Sequence, residues 1–304
     1  MQSTATSRRT GYVFDERYLL HVIEDNHPES PQRLRAIHHT LSERGLVEKC
    51  VRIAPMEAVE EHILALHTQA HLDSIKRIPV TGEIAELAVG GVLAAVKAVH
   101  DGKVTNAFCA VRPPGHHAGN NGGEEGFCYF NNVAVAARYA QRLGHQKVLI
   151  VDWDYHHGNG TQAAFYDDPT VLYYSTHALY AYPGTGSPDF RGRGKKNGLN
   201  INVPLPRGAT DEDALFAWER FLVPKAKEFK PDFVFISAGF DGGRDDVLGT
   251  FAISDEGFGR LTELALNIAD RYCNGRLVSV LEGGYNVSRL GKAVASHVKA
   301  LTQP

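Results

Sequence analysis

Short continuous apolar runs alternate along the chain with longer stretches of helical spacing. Six runs read as strands: "TNAFCAV" (105–111), "KVLIVDWD" (147–154), "TVLYYST" (170–176), "LNINVPL" (199–205), "DFVFISAG" (232–239) and "LVSVLEGG" (277–284). Helical patterns occupy 84–100, 131–143, 211–228 and 255–273. Strands that are apolar on both faces and alternate with helices predict an α/β fold, an open, mostly parallel sheet with helices on both faces. No internal repeat, low-complexity tract or Pro/Gly/Ser linker breaks the pattern, so a single domain over 1–304 is expected.

Sheets of this kind bind ligands beyond the carboxyl ends of their strands. After 105–111 comes "RPPGHHAG", with His116 and His117; after 147–151 comes "DWDYHHGNG". After 170–175 come His177 and "YAYPGTG", after 232–239 "FDGG" with Asp241, and after 277–281 "EGGYN" with Tyr285. Five loops rich in titratable or aromatic side chains at one sheet edge predict a shared site.

In extended chain Asp152, Asp154 and His156 can point the same way. Two of them with Asp241 would make a three-ligand site that leaves a position open, as catalytic zinc does. The plainer alternative has the two aspartates capping the next turn while His156 hydrogen-bonds in the core. "FDGG" offers one carboxylate and no bridging partner, so a single ion is expected. His116 and His117 stand behind the stiff pair Pro113-Pro114 and are suited to moving protons near neutral pH. Tyr285 could donate a hydrogen bond to an oxyanion, and Phe127 and Tyr182 could wall a narrow slot for an aliphatic chain.

Other chemistries are disfavoured. "GNGTQA" (158–163) matches a dinucleotide fingerprint, but "DWDYHH" separates it from its strand and no acid ends the next one. "RGRGKKN" (191–197) lacks the first glycine and the Ser/Thr of a phosphate loop. Neither G-x-S-x-G nor H-E-x-x-H occurs. The net charge of −3 and the absence of a basic run argue against nucleic acid, and no apolar stretch approaches the roughly 20 residues of a membrane span. "MQSTATSRRTGYVF" has no secretory apolar region, and the four cysteines (Cys50, Cys109, Cys128, Cys273) show no C-x-x-C, which suggests free thiols and a cytoplasmic location.

"RPPGHHA", "GFCYFNNVAVAA", "VDWDYHHGNGTQ", "AGFDGGRDDVLG" and "LEGGYN" together resemble the histone deacetylase family, which includes bacterial histone-deacetylase-like amidohydrolases and acetylpolyamine amidohydrolases. The likeness runs in order from "HPESPQR" (27–33) to "EGGYN" and is most similar to the class II branch. It implies an arginase/deacetylase-type fold and zinc-dependent deacylation of acetyl-lysine or a small acylated amine by metal-activated water. By position it implies Asp154, His156 and Asp241 as zinc ligands, His117 as main base and acid, His116 as electrostatic helper, and Tyr285 on the acyl oxygen. Asp152 would bond His116, and Asn159 would stand where some relatives have an aspartate behind His117. Gly126, Phe127 and Tyr182 would form the slot, with Arg33 near its inner end. Structural K+ or Na+ ions are implied at Asp152, Asp154, His156 and Ser175, and at a peripheral site of Phe165, Asp168 and Val171.

The departures fall at the substrate mouth. "LDSIKRIPVTGE" between His71 and residue 84 is short, and Arg77 or a neighbour stands near the usual substrate-clamping aspartate. Leu248 occupies the position of a polyamine-selective glutamate. The short loop suggests a wide entrance that a second copy of the chain could complete. An amidohydrolase or esterase acting on another acyl compound, or a silent acyl-lysine binding module, are the competing functions.

Overall fold

The computed structural model describes residues 8–58, 60–192 and 198–303. The first seven residues of "MQSTATSRRTGYVF" and residues 193–197 of "RGRGKKN" lie outside the described residues. Among the described residues eight strands form one sheet: β1 Thr10–Val13, β2 Cys50–Ile53, β3 Asn106–Cys109, β4 Val148–Asp152, β5 Val171–Ala178, β6 Asn200–Leu205, β7 Phe233–Ala238 and β8 Leu277–Leu281. Every pairing is parallel and the order is β2-β1-β3-β8-β7-β4-β5-β6. All residues of β3, β4, β5, β7 and β8 are buried, as their continuous apolar sequences require.

Among the described residues ten α-helices connect the strands: α1 Pro31–Glu43, α2 Glu60–Ile63, α3 Gln69–Lys76, α4 Thr81–His100, α5 Asn132–Arg142, α6 Asn159–Phe165, α7 Asp211–Ala217, α8 Val223–Phe229, α9 Asp255–Cys273 and α10 Val287–Thr302. They pack in two chains of neighbours, α3-α4-α5-α6 and α1-α10-α9-α7, which gives the sheet its helical layers. The helical spacing over 211–228 resolves into α7 and α8 joined by a π-helical turn at Trp218–Leu222. Pro224, in the first turn of α8, has no N–H to continue an α-helical ladder, and the widened turn accommodates it.

Strand order positions the site. The chain leaves β3 and crosses to β4, and only later do β7 and β8 fill the gap between them. The loops that follow β3, β4, β7 and β8 therefore leave four adjacent strands at one edge. These are the loops that carry His116/His117, Asp154/His156, Asp241 and Tyr285.

Candidate metal centre and catalytic slot

β4 ends at Asp152, and Asp154 and His156 follow two and four residues on, in the loop beyond the strand. Asp154, His156 and Asp241 offer ligand atoms that all lie within 4.8 Å of one another. His156 Nδ1 faces both carboxylates, 3.2 Å from Asp154 Oδ1 and 2.9 Å from Asp241 Oδ2. The remaining carboxylate oxygens are fixed by backbone: Gly283 N–H donates to Asp154 Oδ2 at 2.8 Å and Tyr155 N–H to Asp241 Oδ1 at 2.9 Å. Of the pairs left open by sequence, the structure selects Asp154 with His156.

The donor set suits a divalent ion with mixed N/O preference. Burial opposes charge on His156, but hydrogen bonds and charge from Asp154 and Asp241 outweigh it and hold its pKa at about 11. Burial, with Asp154 beside it, pushes Asp241 up to about 7. Two buried carboxylates on one imidazole thus create a potential that attracts a cation. Gly283 shapes the same spot, because a Cβ there would stand 2.5 Å from Asp241 Oδ2 and 2.6 Å from Asp154 Oδ2. The residues fit the zinc that the sequence reading expects.

Asp152 serves a different partner. Its Oδ2 lies 3.1 Å from His116 Nδ1 and accepts from Tyr173 O–H at 3.0 Å, and Oδ1 accepts from Asp154 N–H. Burial disfavours a charged His116, yet Asp154 and Asp152 hold its pKa up at about 10. His117 differs: burial and then the charge on His116 push it well below 6.5. Its Nδ1 lies 2.8 Å from Asn159 Oδ1. Adjacent histidines on one loop thereby have opposite charge states at neutral pH.

A cavity of about 470 Å³ opens above the triad, lined by His117, Glu124, Gly126, Phe127, His156, Tyr182, Leu248 and Tyr285. Burial pushes the Tyr285 phenol well above 10, so it is a neutral donor. Its ring meets Phe127 edge-on at 6.0 Å, and Tyr182 meets His117 edge-on at 5.1 Å. Gly126 is required: its φ is +55°, and a Cβ would stand 2.4 Å from the His117 ring. Arg33 lies beneath, buried, with its guanidinium 4.9 Å from the Tyr285 ring centroid and Nε donating to Gly284 O at 2.6 Å.

Not every expected residue joins this cluster. Ser175 pairs in register with Asp152, but its hydroxyl engages His177 Nδ1 at 2.8 Å. Phe165, Asp168 and Val171 lie at the end of α6 and the start of β5, where Asp168 pairs with Arg138. Arg77 caps α3 and does not line the cavity. His157 turns away, its Nδ1 2.7 Å from Thr185 Oγ1.

Several supporting residues escaped the sequence reading, and some of them sit inside the quoted motifs. Glu282, buried, accepts from Gly115 N–H at 2.7 Å and His116 N–H at 3.1 Å, and so anchors the histidine loop. Arg112, at the head of that loop, pairs through two nitrogens with buried Glu29, at 2.6 Å each, and Glu29 also takes Arg33 Nη1 at 2.9 Å. Asp246 accepts from the backbone N–H of Tyr285 and Asn286 at 2.7 and 3.0 Å. The wall loop is held from α3 and the residues before it. His67 bridges Gly119 O and Asn131 N–H, and His71 bridges Tyr129 O and Gly122 N–H. Apart from Glu29–Arg33, four residues apart, these contacts join residues far apart in sequence, and no local pattern marks them.

A parallel α/β sheet with an Asp/His/Asp cluster and a histidine pair at its switch point places the chain in a known group. That arrangement agrees with a family comparison: the histone deacetylase domain matches residues 27–301, and the chain belongs to the histone deacetylase family. It is 40% identical over 294 residues to a probable deacetylase of Archaeoglobus fulgidus, covering 91% of this chain and 82% of that protein. It is 39% identical over 323 residues to histone deacetylase 15 of Arabidopsis thaliana, covering 98% of this chain but 57% of that one. The crystal structure of the HDA15 HD domain superposes with a TM-score of 0.91 at 37% identity, over 98% of this chain and 89% of that chain. The chain thus spans little more than half the length of the plant protein and most of the archaeal one. Among the described residues no helix is long and apolar enough to cross a membrane.

Proposed function

We propose that residues 1–304 form a single deacylase domain that hydrolyses the amide of acyl-lysine or of a small acylated amine. The observation that carries this reading is the convergence of Asp154 and Asp241 on His156, which lines a cavity together with His117 and Tyr285. Asp154, His156 and Asp241 would hold one Zn2+, whose chemistry when bound is to polarise an acyl oxygen and bring the pKa of water down to about 7.

The protein groups around it divide the remaining work. His117 is neutral at pH 7 and, with Nδ1 occupied by Asn159, takes the proton of the attacking water at Nε2. It then returns that proton to the leaving amine nitrogen. His116 stays protonated against Asp152 and contributes positive charge beside the developing oxyanion. Tyr285 donates its O–H to that oxyanion, and Asp246 holds its backbone in place. Phe127 and Tyr182 exclude water from an aliphatic chain lying between them. Leu248 supplies no charge at the rim, whereas Glu124 does, so a cationic leaving group has one acidic neighbour there. Monovalent cations beside Asp152 and Ser175 and near Asp168, a cytoplasmic location and assembly with a second copy remain parts of this proposal.

The purified protein should contain about one zinc per chain and release fluorophore from an acetyl- or trifluoroacetyl-lysine reporter. Tyr285→Phe should keep the metal and lose about 10²–10³-fold in kcat. Full activity in that variant would contradict the role given to the phenol. A fully metallated, folded sample inert toward every acyl amide and ester would overturn the enzyme reading.

A further inference from the structure

The deacylase reading requires His117 to be unprotonated at Nε2, and the inference here rests on that reading. His117 Nδ1 contacts the side chain of Asn159, and an amide does not by itself choose a histidine tautomer. Presented through its oxygen, the amide accepts from Nδ1–H and leaves Nε2 as the free base. Turned over, it presents NH2 to Nδ1, and the proton then sits on Nε2, where it blocks proton acceptance.

Glu125 removes the ambiguity. Its Oε1 takes a hydrogen bond from Asn159 Nδ2 at 2.6 Å. An ionised carboxylate only accepts, so it binds the NH2 side of the amide and turns the oxygen toward His117. The oxygen in turn only accepts, so Nδ1 must be the protonated nitrogen. Glu125 is itself fixed: Asn121 Nδ2 donates to its Oε2 at 3.3 Å, and its backbone exchanges two hydrogen bonds with Cys128. It does not line the cavity, whereas its neighbour Glu124 does. We propose that Glu125 is a positioning residue that orients the Asn159 amide and thereby sets the catalytic tautomer of His117. Carboxylate, amide and imidazole act in series, doing in two bonds what an aspartate behind the histidine would do in one.

Glu125→Ala in the zinc-loaded enzyme should lower kcat roughly tenfold, short of the 10²–10⁴ that a whole acid–base group supplies, with KM, zinc content and Tm unchanged. Glu125→Gln, which fills the same space but can present either face, should be similarly impaired. Adding Asn159→Asp to Glu125→Ala should restore kcat to within a few-fold of wild type, because an aspartate needs no partner to accept from Nδ1–H; a merely structural role for Glu125 gives no such rescue. ¹⁵N NMR of histidine-labelled holoenzyme should show His117 protonated at Nδ1 in the wild type and a mixture of tautomers in Glu125→Ala. Unchanged kcat and tautomer in Glu125→Ala, or a double variant no better than the single one, would overturn the proposal. A wild type without acyl turnover would instead defeat the deacylase reading, while the NMR result would still test the tautomer.

Discussion

Asp154 and Asp241 bring their carboxyl groups within reach of one imidazole nitrogen and are buried together, which a protein tolerates only with compensation. Gly283 contributes both an N–H to Asp154 and the space that a side chain would occupy. Gly283→Ala should therefore abolish zinc retention while far-UV CD stays native; a variant that keeps its zinc would show that the backbone relaxes around the methyl. The ligand residues and the histidine pair were legible because each lies just beyond a strand that its own apolar run announces. The direction of each side chain was not. Asp152, Asp154 and His156 share a parity, yet the chain leaves the strand conformation after Asp152, so only two of the three reach Asp241. Asn159 is legible from the resemblance as standing where some relatives have an aspartate. The carboxylate behind it, Glu125, comes from a loop 34 residues earlier in the chain, and nothing local pairs them.

Elements with strong periodicity and good ends were read well. α9 is found where the pattern put it, Asp255–Cys273, with Ser254 as N-cap accepting from Gly257 N–H at 3.0 Å. Ser254→Ala should cost about 1 kcal/mol of stability with kcat unchanged, measured by urea unfolding; a change in kcat would couple this cap to the site. The six strands of the reading all exist, most of them trimmed by a residue or more at their ends. β1 and β2 were missed because each is four residues long and, unlike the equally short β3, neither sits within a longer run that reads as a strand. β1 nonetheless lies inside the sheet and β2 covers its edge. The amphipathic helix α10, against which both α1 and α9 pack, lies outside the helical patterns read from the sequence.

At the scale of the whole molecule, the parallel α/β architecture followed from the alternation of elements, whereas strand order did not. Placing β7 and β8 between β3 and β4 is a long-range decision, and it is what brings four loops from distant parts of the sequence to one place. The fold also buries neutral histidines. Burial holds His67 and His177 at about 4 and His297 at about 3. These values are depressed, so as pH falls below 6.5 the unfolded chain binds protons that the native protein does not, and stability present above that pH is lost toward pH 3–4. His116, held at about 10, is protonated in both states below pH 6 and drops out of the balance. Urea midpoints should fall between pH 6 and 4.5, and His297→Gln should flatten that slope. A midpoint constant down to pH 4.5 would mean that these imidazoles are protonated in the native state.

Hydrolysis by this protein should depend on an ion held by Asp154, His156 and Asp241. The most direct test of that dependence is turnover of a trifluoroacetyl-lysine reporter by chelator-stripped protein titrated with Zn2+, beside Asp241→Ala. Activity should be lost on stripping, return in full at about one equivalent, and never appear in Asp241→Ala. Turnover that survives stripping, or that returns equally in Asp241→Ala, would contradict it.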